Sequence, residues 1–124
     1  MALANLGNAY QSFGQTIRAI DYCEQALAIH REIGDRRAES ITLSNLGNAY
    51  ELLGEMRRAI ELHQKALEIY REIGDRHGEG QELGNLGNAY CQLGDAHRGI
   101  EFYEQALAIE REIRCHDEIG RAHV

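Results

Sequence analysis

The chain has 124 residues and a mass of 14.0 kDa, and its 44% hydrophobic and 27% charged residues are typical of one globular domain rather than a disordered chain. Proline is absent, so the chain is free to be helical almost throughout. A net charge of −7 argues against nucleic acid and against an anionic membrane surface as partners, because both need a basic face.

A repeat with a period of about 40 residues runs through the chain. The sequence Asn-Leu-Gly-Asn-Ala-Tyr stands at 5–10, 45–50 and 85–90, and Arg-Glu-Ile stands at 31–33, 71–73 and 111–113. Self-similarity at this period is typical of helical units that stack into a solenoid. It predicts a first unit at 1–34 with a truncated first helix, units at 35–74 and 75–114, and an incomplete fourth unit or helical tail at 115–124.

Each unit is predicted to be a pair of helices. In the middle unit, apolar residues recur at helical spacing before Gly54, which is suited to a left-handed C-cap. The second helix ends at Gly74, and Asp75 is a natural N-cap for the next helix. An apolar residue followed by glycine at 13–14 and at 93–94 predicts the same boundary in the other units. Arg114 replaces the glycine in the third unit, which favours a second helix that continues into the tail.

These residues resemble the tetratricopeptide repeat, whose pattern is an apolar residue, Leu-Gly, Tyr, a small residue, an aromatic residue and Ala. In the middle unit the pattern is met by Leu43, Leu46-Gly47, Tyr50, Ala59, His63 and Ala66. The chain departs from the family in lacking its Trp, in having Cys23 and His63 at the aromatic position, and in a period longer than 34. The long units look like those of G-protein-signalling modulators and of bacterial multidomain signalling proteins. The resemblance implies an all-α tetratricopeptide solenoid, a right-handed superhelix of about three helix pairs, acting as a signalling adaptor.

All six asparagines fall inside the repeated motif, although asparagine is a poor helix former. One interpretation is a ladder of amides along a concave groove, where each amide pairs with the backbone of a partner peptide. The other is that one asparagine per unit bonds a neighbouring helix and sets the pitch of the solenoid. The predicted groove residues are Asn5, Asn8, Gln11, Ser44, Asn45, Asn48, Glu51, Gly84, Asn85, Asn88 and Cys91.

The sequence contains little that indicates catalysis or metal binding. The sequence has no glycine-rich phosphate loop, no HExxH and no Ser/His/Asp arrangement. Four consecutive residues, 115–118, have ligand-type side chains, but on a helix they point in different directions and cannot share one metal. A clamp for chaperone carboxylate tails is disfavoured, because Ala4, Ser44 and Gly84 stand where it needs lysine. We therefore expect a non-enzyme without cofactor or metal that binds a partner protein or peptide.

Location and assembly are the last expectations from the sequence. No apolar run approaches the roughly 20 residues of a membrane span and no secretory signal is visible, so a cytoplasmic protein is expected. The units at both ends lack polar capping helices, which predicts apolar edges and, as an alternative function, head-to-tail assembly or tail exchange without a peptide ligand. The residues predicted for self-association are Leu3, Leu6, Tyr10, Ile100, Tyr103, Leu107, Ile113 and Ile119.

Overall fold

The computed structural model describes the backbone of residues 2–122 and the side chains of residues 11–119. Within that range the chain forms five helices and no strand. They are α1 (Ala2–Ile33), α2 (Arg36–Leu52), α3 (Met56–Ile73), α4 (Arg76–Leu93) and α5 (Ala96–Ala122). Each helix packs against the next one along the chain, and α4 begins one repeat period after α2. The predicted all-α solenoid is confirmed.

The boundaries between the helices follow the predicted capping residues. The side chain of Asp35 accepts a hydrogen bond from the backbone N–H of Ala38, and that of Asp75 accepts one from Gly78 at 2.9 Å. The glycines at positions 34, 54, 74 and 94 have φ between 74° and 95°, where a side chain would be strained. Each turn is therefore fixed by a left-handed glycine, followed in three of the four by aspartate.

α1 departs from the helix pair that the repeat predicts for the first unit. Gly14 is helical and lacks the positive φ of Gly54 and Gly94, so α1 runs without a turn from Ala2 to Ile33. The residue after Gly14 is Gln15, whereas Asp95 follows Gly94 and caps the next helix by accepting from Arg98 N–H at 3.1 Å. Such a cap favours a turn but is not required for one, since the chain also turns at Gly54, where Glu55 makes no side-chain cap hydrogen bond.

α5 continues through the position at which the second helices of the other units end. It runs from Ala96 to Ala122, as the arginine at position 114 predicts. Position 114 lacks the glycine and position 115 lacks the aspartate that are present at the equivalent turns, 34–35 and 74–75. Residues 115–122 are therefore a continuation of α5 rather than the start of a separate helix.

The core is a row of apolar clusters between successive helices. Leu43 of α2 packs with Leu27 of α1 and with Ile69 and Tyr70 of α3. One unit later, Leu83 and Leu86 of α4 pack with residues of α3 and α5, including Ile109. Leu46 is buried, whereas Tyr50 is only half-buried, with the Arg58 guanidinium 5.1 Å from the centre of its ring. The repeated leucines therefore hold the units together.

The glycines of the first helices allow close approach to the second helices. A Cβ placed on Gly47 would lie 2.9 Å from the imidazole of His63, and one on Gly87 would lie 2.7 Å from the ring of Tyr103. His63 and Tyr103 occupy the same position in successive units. The glycine therefore makes room for the large side chain of the second helix.

Arginine–glutamate ion pairs connect the helices around the turns at positions 34 and 74. Glu79, a buried carboxylate on α4, accepts from Arg71 at the end of α3 and from Arg76 in its own first turn. Arg76 also reaches Glu112 on α5, with 3.0 Å between its Nε and the carboxylate. The same set recurs one unit earlier with Arg31, Arg36, Glu39 and Glu72. Hydrogen bonds to Glu112 and Glu79 raise the pKa of Arg76, and those to Glu72 and Glu39 raise that of Arg36.

Candidate peptide-binding groove

An open depression of about 450 Å³ lies between α2 and α4, and it contains amides of both units. Asn45 and Asn48 of α2 line one side, and Asn85 and Asn88 of α4 line the other. Ser44 and Gly84 lie beside them, with Ile41 and Gln81 one turn earlier. We call this depression the groove.

The amides of the groove face solvent to different degrees. The side chains of Asn45, Asn48 and Asn88 are exposed, and that of Asn85 is half-buried. Asn88 accepts a hydrogen bond from the hydroxyl of Tyr103 on α5. Within residues 11–119, the amides of Asn45, Asn48 and Asn85 make no hydrogen bond to another residue. Three of the four amides are thus free to pair with a ligand, while Asn88 has the helix contact that the pitch-setting interpretation predicts.

A buried polar pair forms part of the groove floor. Glu82 lines the groove and is almost fully buried, and its Oε2 lies 2.8 Å from Nδ1 of the fully buried His63. On the other side of the imidazole, Oε1 of Glu51 lies 3.3 Å from Nε2, without the alignment of a hydrogen bond. Glu51, predicted as a groove residue, therefore faces His63 and is half-buried.

Of the remaining predicted groove residues, Gln11 is exposed on α1 and Cys91 is exposed on α4, and neither lines this depression. The side chains of Asn5 and Asn8 are outside the described residues. The structure thus brings together six of the predicted residues, all of them from the second and third units.

Sequence reasoning missed five residues that line the groove: Ile41, Tyr70, Gly80, Gln81 and Glu82. Two of them carry a signal that the sequence offers. Ile41 and Gln81 stand four residues before Asn45 and Asn85, which places them on the same helix face. Extending the asparagine face by one turn would have found both.

The residues predicted for self-association fall into two groups. Leu3, Leu6 and Tyr10 lie outside the described side chains. On α5, Ile100, Tyr103, Leu107 and Ile119 are exposed, and Ile113 is half-buried. Their repeat counterparts Ile60 and Leu67 on α3 are buried, because α4 covers them.

Two further site types were sought in the described part of the chain. No group of three or more His, Cys, Asp or Glu side chains there is arranged to hold a metal ion. None of the helices within that part combines the length and apolar character that crossing a membrane requires.

Five helices that pack in chain order, with equivalent turns one repeat period apart, define an α-helical repeat protein. Tetratricopeptide repeat models match residues 1–72 and 83–113. The chain belongs to the tetratricopeptide repeat family. Domains of this family generally mediate protein–protein interactions as non-catalytic scaffolds.

Solved structures support the fold. The tetratricopeptide domain of Arabidopsis FLU superposes with a TM-score of 0.74 at 22% identity, over 87% of this chain and 91% of that one. BtubC (BKLC) from P. vanneervenii gives a TM-score of 0.73 at 26% identity, over 86% of this chain. This chain spans 44% of the length of BtubC. No curated protein sequence matches.

Proposed function

We propose that this protein is a non-catalytic scaffold whose groove binds an extended segment or helix of a partner protein. The observation that carries the proposal is the convergence of Asn45, Asn48, Asn85 and Asn88 on one open depression. Asparagine in a helix interior costs about 0.5 kcal/mol relative to alanine, and three of these four amides gain no hydrogen bond within residues 11–119 in return. Hydrogen bonds from a ligand to these amides would offset that cost.

The chemistry of the groove favours recognition of a peptide backbone. An amide side chain offers both a donor and an acceptor, so a pair of them can match the C=O and N–H groups of an extended chain whatever its sequence. Glu82, the one charged side chain among the described residues that line the groove, is paired with His63. Sequence specificity would then come from partner side chains that meet Ile41, Tyr70 and Gln81 at its edge.

Selection from a random peptide library displayed on phage, followed by fluorescence anisotropy with a selected peptide, tests the proposal. Saturable binding is expected, and Asn48→Ala and Asn85→Ala are each expected to weaken it by about 1 kcal/mol, or roughly fivefold. Gln64→Ala is the matched control, because this carboxamide is exposed on α3 and does not line the groove. No enriched peptide, or equal losses in the control, would contradict the proposal.

A second candidate function is assembly through the outer face of α5. The exposure of Ile100 and Leu107, at positions that are buried on α3, favours it. The partner would be a helix that packs on this face as α4 packs on α3. Ile100→Gln combined with Leu107→Gln is expected to abolish self-association in sedimentation equilibrium and to leave peptide binding intact. Association that persists in this variant would exclude the α5 face as its site.

We also propose that the units end at residues 34, 74 and 114 and that they resemble the units of G-protein-signalling modulators. Differential hydrogen exchange would test the boundaries, because nearest-neighbour packing predicts that protection changes in steps from unit to unit. Uniform protection across the turns at positions 34 and 74 would speak against separate units.

A further inference from the structure

The straight course of α1 separates residues that are neighbours in the next unit. Leu43 and Ile69 pack in one cluster, because α2 and α3 fold back on each other across the turn at Gly54. Their counterparts, positions 3 and 29, lie on the same helix. At 1.5 Å per residue, these positions are about 39 Å apart along α1. The first half of α1 therefore cannot cover the second half of the same helix.

The second half of α1 consequently presents an uncovered apolar face. Ile29 is 55% exposed, whereas Ile69 at the same position of the next unit is 4% exposed. Ala19 is exposed, whereas Ala59 is completely buried. Ile33 is exposed as well. These are the positions that the first helix of a unit covers.

An open cleft of about 670 Å³ adjoins this face, between α1 and α2. Its apolar wall includes Phe13, Ala19, Ala49, Leu52 and Leu53. The cleft runs beside the start of the second half of α1, where the first helix of the unit would lie if the chain turned at Gly14. The exposed face of α1 and the apolar part of this cleft are therefore adjoining surfaces of the kind that a packed helix covers.

The segment suited to these surfaces is the first half of α1 itself, residues 2–13. It carries no charged residue, and its Leu3, Leu6 and Gly7 correspond to Leu43, Leu46 and Gly47, all of which are buried in the next unit. A segment of this composition is poorly suited to stand free in water. Because α1 is straight, the copy of this segment that can reach the face belongs to another molecule.

We infer that two copies of this chain exchange residues 2–13, so that the first half of each α1 docks on the second half of the partner's α1. Each copy gives and receives the same segment, so the assembly closes as a two-fold dimer rather than extending into a filament. The exchange goes beyond the proposed function, because it concerns the cleft between α1 and α2 rather than the groove between α2 and α4, although Asn45 and Asn48 line both. It also differs from assembly through α5.

Sedimentation equilibrium of the full chain at tens of micromolar is the first test. A dimer of about 28 kDa, twice 14.0 kDa, is expected. Ile29→Gln should raise the dimer dissociation constant at least about tenfold, because it places a polar group in the contact. Ile119→Gln is the matched control, since Ile119 is 56% exposed on α5. A monomeric chain, or a loss caused by Ile119→Gln and not by Ile29→Gln, would overturn the inference.

Two substitutions at the missing turn give a second test. Gln15→Asp restores the N-cap that Asp95 supplies in the third unit, so it should favour folding back at Gly14 and shift the chain towards monomer. Gly14→Ala should keep α1 straight and the dimer intact, because alanine favours the helix and a Cβ there meets no atom within 4 Å. An unchanged dimer for Gln15→Asp together with a monomer for Gly14→Ala would contradict the exchange.

Cross-linking identifies the contact directly. Leu3→Cys with Ile29→Cys, in a chain whose Cys23, Cys91 and Cys115 are changed to serine, should form disulfide-linked dimers on oxidation. Circular dichroism of this variant checks that it remains helical. Disulfides within one chain would show a folded-back first unit, and no disulfide in a helical variant would show that the two positions do not meet; either result overturns the inference.

Discussion

His63 on α3 and Glu82 on α4 form a buried hydrogen bond, with 2.8 Å between the imidazole Nδ1 and the carboxylate Oε2. One proton joins the two atoms in this bond, so that Nδ1 and Oε2 each have a partner. The pair ties two helices of adjacent units beneath the groove, where neither side chain has access to water. Its loss would therefore leave a buried polar group without a partner.

Glu82→Leu is expected to lower the free energy of unfolding by about 1–3 kcal/mol, because it leaves Nδ1 of His63 buried without its hydrogen-bond partner. Glu82→Gln keeps an acceptor at nearly the same place and should cost less. Urea denaturation monitored by circular dichroism measures both variants. Equal losses for the two substitutions would show that the hydrogen bond contributes little.

Two glycines of α4, three residues apart, should respond to alanine with opposite signs. Gly84→Ala is expected to stabilise the protein by about 0.5–1 kcal/mol, since its Cβ meets nothing within 4 Å and glycine is unfavourable in a helix. Gly87→Ala should destabilise by about 1–3 kcal/mol, because its Cβ would overlap the Tyr103 ring. Thermal melts of both variants decide; two changes of the same sign would mean that α4 and α5 are not packed as described.

Two leucines of α2, one buried and one exposed, test whether the loss of stability depends on packing at each position. Leu46→Ala should cost about 2–4 kcal/mol through the cavity it leaves between the units. Leu52→Ala, where the side chain is 79% exposed, should change the free energy of unfolding by less than about 0.5 kcal/mol at protein concentrations low enough to keep the chain monomeric. Chemical denaturation checks both, and comparable losses at the two positions would contradict the assignment of the helix faces.

Asp75 should make stability depend on acid pH. The backbone N–H of Gly78, followed by Arg37, holds the pKa of Asp75 below its ordinary value of 3.8. A carboxyl group of this kind stabilises the folded state above its ordinary pKa, and that contribution is lost as the pH falls through the lower folded value. Asp75→Asn is therefore expected to be less stable than the parent at pH 7, by under about 1 kcal/mol, and equally stable in strong acid.

Denaturant titrations between pH 7 and 2 measure the difference for Asp75→Asn. Asp35→Asn is the matched control, since Asp35 caps α2 in the same way while Asp75 also pairs with Arg37. A difference that does not shrink with acidification would show that the charge of Asp75 plays no part.

The sequence predicts the features that depend on local rules. Asp35 and Asp75 cap their helices, and Gly47 and Gly87 receive the large side chains of the second helices, because capping and close approach require particular residue types. The asparagine face was identified for the same reason, since it repeats at helical spacing. In these cases one residue and its near neighbours determine the outcome.

The features that escaped prediction depend on partners distant in sequence. Phe13-Gly14 reads like Leu53-Gly54 and Leu93-Gly94, yet the helix continues through Gly14 and the chain turns at the other two. The capping residue alone does not distinguish them, since Glu55 makes no side-chain cap hydrogen bond. The buried carboxylate of Glu82 replaces Thr42 of the preceding unit, and its partner His63 departs from the repeat as well. Two residues that both differ from the repeat and lie on adjacent helices indicate a possible contact, but a single sequence does not show that their side chains meet.

Because the arginine–glutamate ion pairs are equivalent in successive units, a whole unit can be added or removed without losing them. Glu39 and Glu79 have equivalent arginines on both sides of their turns, and Arg36 and Arg76 reach equivalent glutamates near the end of their own units. Removal or duplication of one whole repeat period between two such turns would leave each arginine facing the same kind of partner. Unequal recombination within the gene could therefore change the number of units without rebuilding a junction, and a protein engineer could do the same.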